Sequence, residues 1–231
     1  MTVGIEQPAT TRAWPFGSEP PGARGHSTLL KALGRDNRVG QVVKRALDLT
    51  LATTVLVATS PLFLLIAFGL LVHLGRNPFF AHERVGQGGA IFKCLKFRTM
   101  RDPRPEEELP LHPAFKEGTE DRTTLPTRWL RRSSLDELPQ LLNVLLGQMS
   151  VVGPRPIVRK ELDVYYGPLA PVLLTVRPGM AGLWMANGRS NVDYPERAFL
   201  ELKYATKWSL ALDMRILLKA VLAVLARRGA L

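Results

Sequence analysis

Three spacings of apolar residues organise this chain, and each predicts a different element. The first is an unbroken run: residues 46–74 are strongly hydrophobic, and from Leu49 to Val72 nothing is charged. As one straight helix that stretch would reach about 36 Å, enough for a hydrocarbon layer of ~30 Å. Ser60-Pro61 stands near its centre, where proline removes a helical hydrogen bond and clashes with the preceding turn. Both flanks are positive, with Arg35, Arg38, Lys44 and Arg45 before the run and Arg76 and Arg84 after it. Positive charge stays on one side of a membrane. The pattern therefore favours a helix–break–helix over residues 41–76 that enters and leaves through one leaflet. A single spanning helix is the alternative, because transmembrane helices tolerate proline.

The second is a pair of short apolar-rich runs on either side of a glycine cluster. Phe79–Val85 and Ile91–Arg98 read as two strands joined through Gly86-Gln87-Gly88-Gly89, a hairpin. The glycines form a turn and not a phosphate loop, since no Gly-Lys-Ser/Thr follows. The third spacing is helical: Leu138, Leu141, Leu142 and Leu145 recur at i, i+3, i+4 and i+7. Ser134 and Glu137 make a capping-box pattern ahead of them, Pro139 lies early enough to be tolerated, and Gly147 is a terminator. Trp208–Arg228 predicts one more helix, with Arg215, Lys219 and Arg227 on one stripe. Leu217, Leu218, Val221, Leu222, Val224 and Leu225 cover its other side, which suits either a bilayer headgroup region or a protein core. Residues 101–127, proline-rich and mixed in charge, read as a loop with room for one short helix. The sum is a mainly α fold with a small β-hairpin, α+β in class.

Composition narrows the partners. The chain has 31 Lys+Arg against 20 Asp+Glu, a net charge of +11, which calls for an anionic partner. An aromatic-rich strand motif, a zinc-ligand cluster and a basic helix without an apolar face are all missing, so no nucleic acid is expected. One cysteine, Cys94, excludes an internal disulfide and reads as a small apolar strand residue. The histidines at 26, 73, 82 and 112 lack metal-site spacing. Residues 1–40, rich in Gly, Pro, Ser and Arg, predict a disordered basic tail. Residues 77–231 are then a cytoplasmic candidate catalytic domain ending in the interfacial helix.

Candidate chemistry concentrates in Ser134–Pro156. Asp136 and Glu137 adjoin at a predicted helix start, where acids need no role beyond complementing the dipole. Their setting changes that reading. Arg128, Arg131 and Arg132 precede them and Arg155 and Arg159 follow, a set suited to a diphosphate. Asp136 near a helix N-terminus is expected to stay ionised, as a carboxylate nucleophile must. Glu137 can share a hard divalent cation, Mg²⁺, with substrate phosphates. Neighbouring helical side chains point about 100° apart, so one acid can attack phosphorus while the other holds the metal.

Several ordered motifs then resemble one family. They are Lys44-Arg45-x-x-Asp48, Ser60-Pro61, Glu83-Arg84-Val85-Gly86, Phe92–Met100 and Leu135–Pro156, followed by Arg177–Trp184, Gly188-Arg189-Ser190, Tyr194, Trp208-Ser209-Leu210 and Asp213. Over residues 41–231 the chain is similar to the bacterial sugar transferases, the monotopic phosphoglycosyl transferases. The resemblance implies transfer of galactose or glucose phosphate from a UDP-sugar to undecaprenyl phosphate, with UMP released, at the cytoplasmic leaflet of the bacterial inner membrane. It implies Asp136 as nucleophile and Glu137 as the Mg²⁺ acid, and associates Pro154, Arg155 and Pro156 with the nucleotide. Lys96 and Arg98 join Arg128, Arg131 and Arg132 as expected substrate contacts. Lys44, Arg45, Asp48, Ser60 and Pro61 are expected to shape the re-entrant helix, and homodimer formation is left open. Gln148, Ala181 and Met185 depart from the family's usual acid, Thr and Gln. Those departures motivate the alternative of a non-catalytic scaffold or regulator of polysaccharide assembly.

Overall fold

The computed structural model describes residues 38–100, 123, 125–185 and 194–225. The expected tail lies outside these residues, except that Arg38–Gly40 are already helical. The apolar run forms α1 (Arg38–Ala58) and α2 (Ser60–Leu74), bent by 63° at Thr59. Pro61 has no N–H for Val57 O, and Ser60 Oγ donates to that carbonyl instead, at 2.8 Å. The break is thus hydrogen-bonded rather than merely tolerated. Among the described residues no single helix is long and apolar enough to cross a membrane, though the bent pair passes together. Val57, Leu64, Leu65, Phe68 and Val72 are each 65–68% exposed. A helix pair folded into a protein core would bury such residues, so among the described residues this one has no protein partner on that face.

Three polar residues on one stripe of α1 bolt it to the rest. Lys44 Nζ donates to Asp213 Oδ2 at 2.7 Å and to Val152 O at 3.0 Å. Arg45 donates to Val144 O and Leu145 O, carbonyls at the C-terminal end of a short helix that carry the negative end of its dipole. Asp48 Oδ1 accepts from Ser150 Oγ and from the Val151 N–H, both at 2.9 Å. These three residues fix α1 to the domain, whereas Ser60 and Pro61 stand at its break, where the Thr59 hydroxyl also donates back to Val55 O at 2.7 Å.

The hairpin expected from the glycine turn follows: β1 (Phe79–Val85) and β2 (Ile91–Phe97) pair antiparallel from Phe79↔Phe97 to Val85↔Ile91. Phe79 and Phe97 stack and pack on Phe63 of α2. The next described helix, α3 (Leu125–Arg132), begins inside the stretch expected as loop; residues 101–122 lie outside the described residues.

Ser134 and Glu137 do not form the expected capping box. Ser134 takes φ 58° and makes no side-chain cap bond, and Leu135–Glu137 form a separate 3₁₀ turn. The helix proper, α4 (Gln140–Leu145), starts only after Pro139. Proline has no N–H with which to continue the turn, so one helix cannot run from Ser134 through it. Glu137 is meanwhile drawn away toward Lys96. Gly147, at φ 80°, does terminate the helical stretch.

The remaining elements are β3 (Ser150–Val152), α5 (Arg159–Tyr165), α6 (Ala170–Leu173), β4 (Gly179–Ala181), α7 (Glu196–Lys207) and α8 (Leu210–Leu225). β3 and β4 pair in parallel, Ser150↔Gly179 and Val152↔Ala181, a second sheet absent from the sequence reading. A Cβ on Gly179 would lie 2.0 Å from the Gly153 nitrogen, so only glycine allows this approach. In α8, Asp213, Ile216 and Ala220 are buried, and Leu217 packs with that core. Met214, Leu218 and Leu222 are exposed, beside exposed Arg215 and Lys219. The helix is therefore a core helix on one face and, among the described residues, an exposed amphipathic surface on another; Arg227 lies outside the described residues.

Candidate active site

Three elements converge on the two acids: the Leu135–Glu137 turn presents them, β2 supplies Lys96, and α3 supplies Arg131. Lys96 Nζ reaches Glu137 Oε1 at 2.6 Å. Asn143 of α4, itself buried, makes that meeting reproducible. Its Oδ1 accepts from the Leu95 N–H at 2.9 Å and its Nδ2 donates to Lys93 O at 2.8 Å. One side-chain amide thus completes the outer edge of β2 as another strand would. It comes from the helix just beyond the dyad, so Lys96 and Glu137 are held in one frame.

Asp136 is 9% exposed, and its carboxyl is pushed up to about 6, chiefly by loss of water. Lys96 and Arg131 pull it down, while Glu137 adds to the rise. Asp136 is therefore ionised at neutral pH without the helix dipole that the sequence pattern predicts, since a three-residue turn sums few peptide dipoles. Burial acts on Glu137 as well. There the charge and hydrogen bond of Lys96, with Arg155 and Gln140, outweigh it and hold the carboxyl below its ordinary range. Two adjacent acids with opposite displacements are suited to different roles.

A row of arginines leads away from the dyad. In Pro154-Arg155-Pro156 neither proline has an N–H, so Arg155 carries the turn's main-chain donor, which Glu201 Oε1 accepts at 3.4 Å. Glu201 is fully buried, also accepts from the Tyr166 hydroxyl, and lies 3.6 Å from Arg197 Nε. Arg197 Cζ is 3.9 Å and Arg155 Cζ 5.9 Å from the centre of the Trp184 ring. Arg84 faces Glu161 at 3.8 Å. Burial first, then the charge of Arg155, lowers the pKa of both Arg84 and Arg197. Cations crowded this way favour an added anion.

The structure thus brings together Asp136, Glu137, Lys96, Arg131 and Arg155, with Pro154 and Pro156 framing the last. Arg128 is half-buried one turn earlier on α3, and Arg132 and Arg159 are exposed. Arg98 lies at the hairpin root, bonded to Asn77 O and Phe79 O. Sequence reasoning missed Arg197, Glu161, Glu201 and Tyr166, and it named Arg84 as flanking charge and as part of the Glu83–Gly86 motif without a place in the site. The available signal was Arg197 and Glu201 at i, i+4 on the same stripe as Ala198, Tyr204 and Ala205, which makes them a buried pair. The departures are absorbed in the framework. Gln148 Oε1 accepts from Asn143 Nδ2 at 2.6 Å, Ala181 O accepts from the Gly153 N–H, and Met185 packs beside the core of α8.

A family model described as bacterial sugar transferase matches residues 39–227. The exopolysaccharide production protein ExoY of Rhizobium meliloti is 42% identical over 202 residues, covering 83% of this chain and 89% of the relative. The undecaprenyl-phosphate galactose phosphotransferase of Salmonella typhimurium is 38% identical over 206 residues, 84% of this chain and 42% of that longer protein. The UDP-glucose:undecaprenyl-phosphate glucose-1-phosphate transferase of Caulobacter vibrioides is 37% identical over 197 residues, 81% of this chain and 71% of the relative.

Proposed function

This chain belongs to the bacterial sugar transferase family and is a phosphoglycosyl transferase, and from that premise we propose that it moves galactose or glucose 1-phosphate from a UDP-sugar to undecaprenyl phosphate, opening assembly of an exopolysaccharide. The supporting observation is a buried, ionised Asp136 at the head of a row of arginines that fits a diphosphate. In the first step an Asp136 oxygen attacks the β-phosphorus. The bond from that phosphorus to the bridging oxygen breaks, and its electron pair leaves on UMP. In the second, an oxygen of the lipid phosphate attacks the same phosphorus and the aspartyl–phosphorus bond breaks, restoring the carboxylate. Arg155 and its neighbours hold the nucleotide phosphate and then receive its lipid counterpart, while burial of Asp136 keeps water from the ester.

Among the described residues no group of three or more His, Cys, Asp or Glu could hold a metal by itself. Mg²⁺ does not need one, since it commonly binds one or two carboxylates plus substrate phosphates. The hard oxygens of Glu137, and the burial that leaves Asp136 poorly compensated, fit that ion. Glu137 would hold it, and when bound it would neutralise diphosphate charge as a Lewis acid.

UMP release from UDP-glucose or UDP-galactose by protein in nanodiscs tests the reading. It is expected to need undecaprenyl phosphate for turnover beyond one equivalent and to stop with EDTA. Release unaffected by EDTA removes the metal; no release from any UDP-sugar removes the activity and leaves a scaffold.

The bent α1–α2 pair, with its uncovered apolar face, is read as re-entrant at the cytoplasmic leaflet, where a soluble donor and a lipid acceptor can share one site. Single cysteines at Gln41 and Asn77, in a Cys94→Ala background, are expected to react with an impermeant thiol reagent from the same membrane side. Labelling from opposite sides would make the pair a span.

A further inference from the structure

The hairpin face turned toward the acids carries two residues that the reaction described above does not use. Antiparallel partners share a face, and the register pairs Phe80 with Lys96, His82 with Cys94 and Arg84 with Phe92. Lys96 sits on Glu137, and Arg84 sits beside Glu161 at the arginine row. The β1 half of this face therefore runs from the dyad to the arginines, with His82 midway, roughly 7 Å along the strand from Phe80 and from Arg84. On the β2 half, Phe92 and Cys94 are buried against α1 and α4. On the β1 half, Phe80 is 41% exposed and His82 is exposed.

Phe80 is also held in place. The Arg98 guanidinium lies 5.5 Å over its ring, and Arg98 is itself tied to Asn77 O and Phe79 O. The Phe80 and His82 rings are 6.0 Å apart and tilted by 42°. A fixed aromatic face beside a polar ring, next to a phosphate-transfer site, matches one ligand chemistry well. A pyranose has an apolar C–H face and a rim of hydroxyls, while a phosphate or a uracil would go to the arginines and Trp184.

We propose that Phe80 and His82 form the hexose subsite of the donor, Phe80 covering the apolar face of the sugar and His82 hydrogen-bonding its hydroxyls. This rests on the proposed function and adds to it the residues that select the sugar. His82 is then where discrimination between hydroxyl epimers is made, because a site built to pair a hydroxyl rejects a sugar that misplaces it.

The test compares the full chain in nanodiscs with Phe80→Ala, Phe80→Tyr, His82→Ala and His82→Gln. The readouts are UMP release from UDP-glucose and UDP-galactose, and inhibition by UMP, which lacks the sugar. Phe80→Ala and His82→Ala are expected to raise KM for the UDP-hexose about tenfold. His82→Ala is also expected to shift the glucose-to-galactose preference about fivefold or more, and UMP inhibition should stay unchanged. Phe80→Tyr and His82→Gln, which keep the ring and the hydrogen-bonding group, should recover most of the loss. Unchanged KM and preference in an active protein, or a parallel loss of UMP inhibition, overturns the subsite alone. A wild-type chain that consumes no UDP-sugar overturns the functional reading and the subsite with it.

Discussion

Asp136→Asn is expected to lower sugar-phosphate transfer by about ten-thousand-fold or more, as loss of a covalent nucleophile does, and at the same time to make the metal-free protein more stable. The second effect follows from the direction of the carboxyl's displacement. In the fold it titrates at about 6, above the ordinary aspartate value near 4 that the unfolded chain shows. A group raised on folding supports the fold below its unfolded pKa and loses that support as pH rises through its folded one. At pH 7.5 the ionised Asp136 therefore opposes folding by ~1–3 kcal/mol. Asparagine, of the same shape and without charge, removes that penalty. Chemical unfolding in detergent should show the variant ahead at pH 7.5, the gap narrowing between pH 6 and 4 and closing below 4. A variant that is inactive and also less stable at neutral pH would mean that Asp136 is a structural acid.

Arg155→Ala carries the second large effect. Its side chain borders Trp184 and lies within the electrostatic reach of Glu137, Arg84 and Arg197, at the place where the account puts the leaving phosphate. Removing one preorganised cation from developing phosphate charge typically lowers the rate by about 10²–10³, and kcat/KM for the UDP-sugar should fall by that much. Arg155→Lys keeps the charge but loses the planar fork, so it should recover only about tenfold of the loss. The fold should survive both changes, because the main-chain N–H that Glu201 accepts is present whatever the side chain. Steady-state kinetics with UDP-sugar varied, alongside thermal unfolding, separates these outcomes. A kcat/KM within threefold of wild type would place the nucleotide phosphate elsewhere.

How much of this was readable from residue order depends on the range of the interactions. The hairpin was legible because two short apolar-rich runs and the glycine turn between them are local signals; its register is set by the pairing itself and was not read from the sequence. The break at Ser60-Pro61 was legible for the same reason, as a missing N–H is a property of one residue. The helix expected from Ser134 was misread because a capping pattern and a leucine stripe outweighed Pro139, which splits the segment into a 3₁₀ turn and a short helix. The acids were found, but the cause of their ionisation was not. A helix dipole was expected, whereas burial opposed by Lys96 and Arg131 sets Asp136. Arg197, Glu161 and Glu201, and the role of Arg84 beside them, stayed hidden because charged residues in sequence look solvated. Only the folded arrangement shows Glu161, Arg197 and Glu201 buried and facing Arg84 and Arg155. The same applies to Lys44, Arg45 and Asp48, whose partners lie about a hundred residues or more away.

Intact-protein mass spectrometry bears most directly on the central claim. Purified wild-type chain, given Mg²⁺ and a UDP-hexose without lipid acceptor, should gain the mass of one hexose phosphate. Peptide mapping should place it on Asp136, and undecaprenyl phosphate should discharge it. If UMP accumulates with lipid present while the protein never carries that mass under any UDP-hexose, the sugar phosphate passes directly between substrates and Asp136 is not the nucleophile.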